Sequence, residues 1–324
     1  MILCPSCSSA LSDRRYECSA CGFTIEIIDG IPMWAPTMAQ SNDSFPPDAF
    51  SKLFDVESRH FWFKARVKII LWALSRFCPD FNSFLEVGCG TGFVLKNINQ
   101  AFPNRKLTGV EIYSSGLKYA SSRVPAANFA QMNILQSPYI EEFDVVGAFN
   151  VVEHIEDDKK ALNNNFRALK MGGIALISVP QHQWLWSSVD EAACHKRRYS
   201  SRGLQKKLSD SGFDIMLNTS FVSLLLQLML VSRLRDRQIK NNNSNSEFEI
   251  SQFLNHFCGY VMTFGYWLIK IGCRLPAGGS RLIIGRKRSA WSTYESLNSF
   301  QSTLHDGTRT WIHQRSKSEW CPRW

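Results

Sequence analysis

The run Phe84-Leu85-Glu86-Val87-Gly88-Cys89-Gly90-Thr91-Gly92 constrains this chain more than any other, because an apolar strand breaks there into alternating glycines. Glycine has no Cβ, so such a turn can take positive φ and bring bare backbone close to a ligand. The spacing is acid-x-Gly-x-Gly-x-Gly. It differs from the Gly-x-Gly-x-x-Gly that seats a pyrophosphate on a helix N-terminus and points away from a dinucleotide. Downstream, Lys106-Leu107-Thr108-Gly109-Val110-Glu111 reads as a second short strand ending in an acid. A carboxylate there can accept hydrogen bonds from both hydroxyls of a ribose.

Two further segments follow in order. They are Phe143-Asp144-Val145-Val146-Gly147-Ala148-Phe149-Asn150-Val151-Val152-Glu153-His154-Ile155 and Leu169-Lys170-Met171-Gly172-Gly173-Ile174-Ala175-Leu176-Ile177-Ser178-Val179-Pro180. Together with the glycine run, they resemble the class I S-adenosylmethionine-dependent methyltransferases, the second segment looking like that family's helix end, glycine turn and fifth strand. The coarse order is strand 84–87, helix 92–101, strand 106–111, helix 114–122, strand 128–132, strand 144–149, helix 158–169 and strand 174–179. Residues 213–217 read as a sixth strand and 279–286 as a seventh that closes the sheet antiparallel. The expected fold is α/β, a doubly wound Rossmann-like seven-stranded methyltransferase sheet with ligands at the carboxyl ends of its strands. The resemblance implies S-adenosylmethionine as cofactor, with Gly88, Gly90 and Gly92 flanking its methionyl part and Glu86 orienting a loop or the amino group. It also implies Glu111 on the ribose, Ile134 against the adenine and Asn150 at the methionine end. Where the family usually has an aspartate for the adenine amine this chain has Asn133, whose carbonyl accepts the same bond without charge.

Cys4-Pro5-Ser6-Cys7 and Cys18-Ser19-Ala20-Cys21 form two Cys-x-x-Cys knuckles whose thiolates can converge on one structural zinc ion. The following stretch, Phe23 through the Asp29-Gly30-Ile31-Pro32 turn, resembles the small zinc ribbons of partner proteins of RNA and protein methyltransferases, and ribbons fused to an rRNA guanine methyltransferase. The start, Met1-Ile2-Leu3-Cys4-Pro5, lacks the charged-then-apolar layout of a secretory signal, which sets the expectation of a cytoplasmic protein, with the inner face of a membrane as a peripheral location. The expected domains are a zinc ribbon over 1–35, a polar, proline-rich linker over 36–49, the methyltransferase domain over 50–288 with a helical insertion at about 221–276, and a disordered tail over 289–324.

Methyl transfer from a sulfonium needs alignment and exclusion of water more than it needs acid–base chemistry. A hydroxyl acceptor still benefits from a base, and histidine has the right pKa. His182 and His195 lie in a loop that runs from Gln181 to Tyr199 and is rich in aromatic and ionisable residues, including Trp184, Trp186, Asp190 and Glu191, and both are the candidate bases. His154, in a Glu-His pair common across the wider family, reads as structural. The string His60-Phe61-Trp62-Phe63-Lys64-Ala65-Arg66 resembles a bacterial methyltransferase subgroup associated with saccharide or envelope pathways, and its helix is placed to lie over the cofactor.

Within the insertion, the apolar stretch 221–231 is too short to span a bilayer and 253–275 carries His256 and Lys270. These read as lid helices or as interfacial helices flanked by Arg and Lys. The formal net charge of +9 raises nucleic acid as a partner, yet the basic residues are dispersed and no RNA-binding module is recognisable. The expected function is O-methylation of a small-molecule, glycan or lipid-linked acceptor, with peripheral membrane contact as a further partner. The alternatives are an RNA methyltransferase that grips substrate with its ribbon and a non-catalytic partner subunit that binds cofactor.

Overall fold

The structure, a computed structural model, describes residues 1–11, 16–39, 49–238 and 250–288. The tail expected over 289–324 and the middle of the linker (40–48) lie outside the described residues. The N-terminal segment holds two short strands, β1 (Ile27–Ile28) and β2 (Ile31–Pro32), joined at Asp29 and Gly30, both with positive φ. That is the geometry of a tight hairpin turn. Then come α1 (Ala49–Val56), α2 (Phe61–Phe77), β3 (Ser83–Val87), α3 (Phe93–Ala101), β4 (Lys106–Glu111), α4 (Ser114–Arg123), β5 (Asn128–Gln131), β6 (Phe143–Phe149), α5 (Asp158–Ala168) and β7 (Leu169–Pro180). The chain continues through α6 (Ser188–Ala192), α7 (Ser201–Asp210), β8 (Phe213–Phe221), α8 (Leu226–Gln238), α9 (Gln252–Lys270) and β9 (Ser280–Lys287).

The main sheet has seven strands in the order β5-β4-β3-β6-β7-β9-β8. β3 pairs in parallel with both β4 and β6, and β9 runs antiparallel between β7 and β8. Strands covered on both faces must be apolar on both, which is why the inner strands read as nearly continuous hydrophobic runs. Their alternation sorts the core. Phe84, Val145, Phe149, Leu176 and Leu282 pack on the face covered by α2, α3 and α9. Leu85, Val87, Val146, Ile177 and Ile283 pack on the opposite face with residues of α5 and α7. The chain leaves β3 towards β4 and β5, and resumes at β6 on the other side. The winding therefore reverses between β3 and β6, and a crevice opens there at the strands' carboxyl ends.

Two differences from the sequence pattern have physical causes. β7 begins at Leu169, where a helix end and glycine turn are expected; Leu169 pairs with Phe143 and Ile174 with Val145, so the glycines form a bulge, with Gly172 at φ +75°. β8 runs on to Phe221, because β9 offers it partners from Lys287 back to Ser280.

The N-terminal segment is fastened to the sheet. The Trp34 N–H donates to Gln131 O at 2.8 Å, the Ala35 N–H donates to Gln131 Oε1 at 2.9 Å, and Leu3 N–H reaches Pro138 O at 2.9 Å. It thereby covers the backbone of edge strand β5, which would otherwise offer unpaired groups for pairing with other chains.

Candidate functional site

After Val87 the chain turns through Gly88, Gly90 and Gly92 at φ +66°, +52° and +75°. A Cβ on Gly88 would collide with the Val151 side chain, and one on Gly92 would lie 3.0 Å from Ala120 Cα. At Gly90 the nearest atom is Phe50 Cε1 at 3.8 Å, so the middle glycine borders open space. That space is a cavity of about 670 Å³, within the range of small-molecule sites.

Glu111, at the end of β4, accepts from Gly90 N–H at 3.0 Å and from Ile112 N–H at 2.8 Å. Burial pushes its carboxyl up, and these backbone bonds oppose the shift. Tyr113 N–H adds a third bond at 3.4 Å, so of a carboxylate's roughly four acceptor positions about one remains for a ribose hydroxyl. Glu86 Oε2 is buried without a hydrogen-bond partner, and burial, opposed by Arg66, holds its carboxyl well above the usual range. Asn133 caps a short 3₁₀ turn by accepting from Leu135 N–H at 2.9 Å, and its carbonyl keeps a second lone pair. Asn150, at φ +60°, accepts from Arg66 Nη1 at 3.3 Å. All four, with Ile134, line the cavity.

α1 and α2 reach the same space. His60 caps α2 by accepting from Trp62 N–H at 3.2 Å, and the Arg66 guanidinium stands 4.6 Å from the Trp62 ring. Sequence inspection missed an ion pair that holds the first of these helices. Arg123 Nη1 meets Glu57 Oε2 at 2.7 Å and donates to Thr91 Oγ1 at 2.7 Å, while Nη2 donates to Phe54 O at 3.1 Å. The pair ties the end of α1 to α4 and to the glycine turn. Both partners are buried, and Glu57 also lines the cavity.

Of the two expected bases, the structure brings one to the cavity. His195 lines it; His182 is absent from its wall. His182 sits at φ +63° in the turn after β7, and its ring stacks on Trp184 with centroids 4.8 Å apart. Neither Trp184 nor Trp186 lines the cavity.

His195 is held through α6. Ser187 and Asp190 form a reciprocal capping box, and Asp190 Oδ1 takes both His195 Nδ1 at 2.8 Å and Arg198 Nε at 2.7 Å. Burial raises the Asp190 pKa, but the bonds to His195 and Arg198 outweigh it and leave the carboxyl below its ordinary value. With Nδ1 committed to Asp190, Nε2 is the nitrogen available for chemistry. The His154 ring stands edge-on to His195 at 4.7 Å and also lines the cavity. Burial pushes Glu153 up to about 7 and His154 down to about 3. The Ser187-x-x-Asp190 spacing was the readable sign that Asp190 is a fixed partner.

Residues 85–177 match the family described as Methyltransferase domain. The chain carries a class I S-adenosylmethionine-dependent methyltransferase domain. It is 26% identical over 159 residues to a probable S-adenosylmethionine-dependent methyltransferase of Mycolicibacterium smegmatis, covering 48% of this chain and 60% of that protein. It is 30% identical over 101 residues to the malonyl-[acyl-carrier protein] O-methyltransferase of Bacillus cereus, covering 31% of this chain and 38% of the relative. The chain thus spans at most about three fifths of the length of these relatives. Among solved structures, a chain of the complex between the Haloferax volcanii Trm112 methyltransferase activator and a methyltransferase shares the fold at 14% identity and a TM-score of 0.51. The match covers 75% of this chain and 97% of that one.

The methyltransferase domain's cavity fits its cofactor on three counts. Gly88 and Gly92 leave no room for a side chain, the Glu111 carboxyl borders the cavity at the end of β4, and Glu86 presents an orphaned buried oxygen. Replacing Glu111 by alanine is expected to weaken S-adenosylmethionine binding at least about tenfold, since charge-assisted hydrogen bonds contribute about 1.5–3 kcal/mol. Calorimetry on both proteins measures it, and equal affinities would remove Glu111 from the ribose.

The N-terminal cysteines converge as their spacing predicts. Cys4 and Cys21 have Sγ atoms 3.7 Å apart, and Cys7 and Cys18 3.6 Å apart. A tetrahedron with Zn–S bonds of about 2.3 Å has edges of about 3.8 Å. Each knuckle closes the same way: Ser8 N–H donates to Cys4 O and Gly22 N–H to Cys18 O, with Ser8 and Gly22 both at positive φ.

Proposed function

We propose that the protein transfers the methyl group of S-adenosylmethionine to an oxygen of an acceptor that carries an apolar tail, a lipid-linked molecule among the small-molecule, glycan and lipid-linked classes. One observation carries this choice. Beyond His195 the cavity wall passes to Leu225, Leu228, Met229 and Leu254, at α8 and α9. On α9, the aromatic residues Phe253, Phe257, Tyr260, Phe264 and Trp267 recur every three or four positions and are all exposed, Phe253 at 83%. Such a stripe suits an interfacial helix. Among the described residues no helix is long and apolar enough to cross a membrane.

When bound, the cofactor supplies a methyl carbon already activated by its sulfonium. The acceptor oxygen forms a bond to that carbon as the carbon–sulfur bond breaks, and the acceptor's proton is released. The chain's share is to hold the two ends in line, to exclude water with α1 and α2, and to activate the acceptor oxygen through the Asp190–His195 pair. The name of the Bacillus cereus relative, an O-methyltransferase, accords with an oxygen acceptor.

The test is a cell extract split into lipid, soluble and RNA fractions and supplied with the enzyme and tritiated cofactor. Label is expected in the lipid fraction. Label entering RNA alone would overturn the reading in favour of a ribbon-gripped RNA substrate.

The four cysteines complete the proposal as a structural zinc site. Zinc closed by four thiolates leaves no position for a reactant, so its part is to fold the ribbon against β5. Elemental analysis of Cys18→Ser is expected to show that zinc gone, and thermal unfolding to begin at lower temperature because the cover of the β5 edge loosens. Full zinc retention would remove Cys18 from the site.

A further inference from the structure

We infer that Glu153, His154 and His195 form a binding site for a divalent transition-metal ion at the acceptor end of the cavity. The use of that ion in methyl transfer rests on the function proposed above; the site itself rests on geometry.

The three residues each offer one ligand atom, and these atoms all lie within 4.8 Å of one another. Bonds of about 2.0–2.2 Å to nitrogen and carboxylate oxygen span such a triangle after small side-chain shifts. Glu153 carries the inference. Its side chain is 0% exposed and neither carboxylate oxygen has a partner within hydrogen-bond geometry, although His195, its own backbone N–H and the Asn150 side chain lie close enough to oppose the rise that burial causes in its pKa. A carboxylate taken out of water in that state is costly unless it is paired or coordinates a metal.

His195 is prepared for the same role. Its Nδ1 is held by Asp190, which is itself held by Arg198 and by Ser187 N–H at 3.0 Å. A carboxylate on one imidazole nitrogen fixes the tautomer and directs the other nitrogen to a metal. Among the charged groups nearby, His195 acts most strongly on Glu153, followed by Arg66; His195 and Lys196 act on His154, and Arg198 is paired with Asp190.

Two imidazoles and one carboxylate suit zinc, iron(II), cobalt or manganese better than magnesium or calcium. His154 and His195 both border the cavity, so an ion there faces the acceptor with positions open. It would polarise the acceptor oxygen and lower its pKa, so that the proton leaves to solvent before carbon–oxygen bond formation. This is distinct from the ribbon, whose four sulfurs form a closed thiolate set.

The test uses the full chain with its ribbon loaded with zinc, titrated with Co²⁺ and followed by visible ligand-field absorption. Wild type is expected to develop saturable bands without the strong near-ultraviolet charge transfer of a thiolate site. Glu153→Gln and His195→Ala should lose these bands, and Asp190→Asn should weaken cobalt binding about 10–100-fold. S-adenosylmethionine affinity, measured by calorimetry on each variant, reports whether the domain still folds; His195→Ala, in a loop, serves should the buried Glu153→Gln not fold. Absence of the bands in wild type, or their persistence in both folded variants, would overturn the site. Turnover unchanged while the ion is stripped would overturn its role in transfer. A failure to find any methyl acceptor leaves the cobalt titration as it stands, so the two proposals fail separately.

Discussion

His195→Ala is expected to cut methyl transfer by roughly 10²–10⁴-fold, the usual share of an activating group at the reacting oxygen. Cofactor affinity should stay within about twofold of wild type, since the cradle of glycines and Glu111 is untouched. The reason is geometric. His195 borders the cavity with Nδ1 locked to Asp190, leaving its second nitrogen to act. Asp190→Asn should therefore also lower turnover, through the wrong tautomer or a misplaced ring. His182→Ala is the control, because that ring stacks on Trp184 outside the cavity wall, and turnover should hold. Steady-state rates and calorimetry on the three variants decide the matter. A large loss for His182→Ala with none for His195→Ala would exchange their roles.

Arg123→Met is expected to destabilise the fold by about 3–5 kcal/mol, the usual consequence of removing one partner of a buried ion pair. Arg123 is the cation at Glu57, and it reaches Thr91 and Phe54 O in the same geometry. Without it the buried Glu57 carboxylate beside the glycine turn loses its direct ion pair and keeps only the Thr91 hydroxyl and the field of Arg66. Urea unfolding measures the loss. The double variant Glu57→Gln/Arg123→Met should recover a good part of it, because the uncompensated charge is gone. A double variant no more stable than Arg123→Met would show that packing, not charge, dominates. Cofactor binding is a second readout, since Glu57 and Thr91 both border the cavity.

Much of the cofactor half was legible because it is local. The glycine run, the acid closing β4 and the ordered strands are short motifs, each read within a few residues, and the cavity gathers Glu86, Gly88, Gly90, Glu111, Asn133, Ile134 and Asn150 in its wall. The cysteine knuckles were legible for the same reason. The acceptor half was not. His182 and His195 have the same residue type and lie in the same loop, and what separates them is a turn at positive φ in one case and a capping box in the other. Glu153 and His195 are far apart in sequence and meet only after β6 and the loop beyond β7 are brought side by side, whereas Asp190 reaches His195 within that one loop. The Glu57–Arg123 pair likewise joins a helix before the first strand of the sheet to one after the second.

By itself, then, the sequence determined the α/β order, the glycine turn, the acid that ends β4 and the convergence of the four cysteines, because glycine conformation, strand periodicity and Cys-x-x-Cys spacing act within one or two turns of chain. Only the tertiary structure decided which histidine reaches the cavity, which carboxylate stands bare beside it, and that the ribbon is fastened to β5. Those outcomes depend on burial and on hydrogen-bond partners drawn from distant segments, and neither exists until the sheet has assembled.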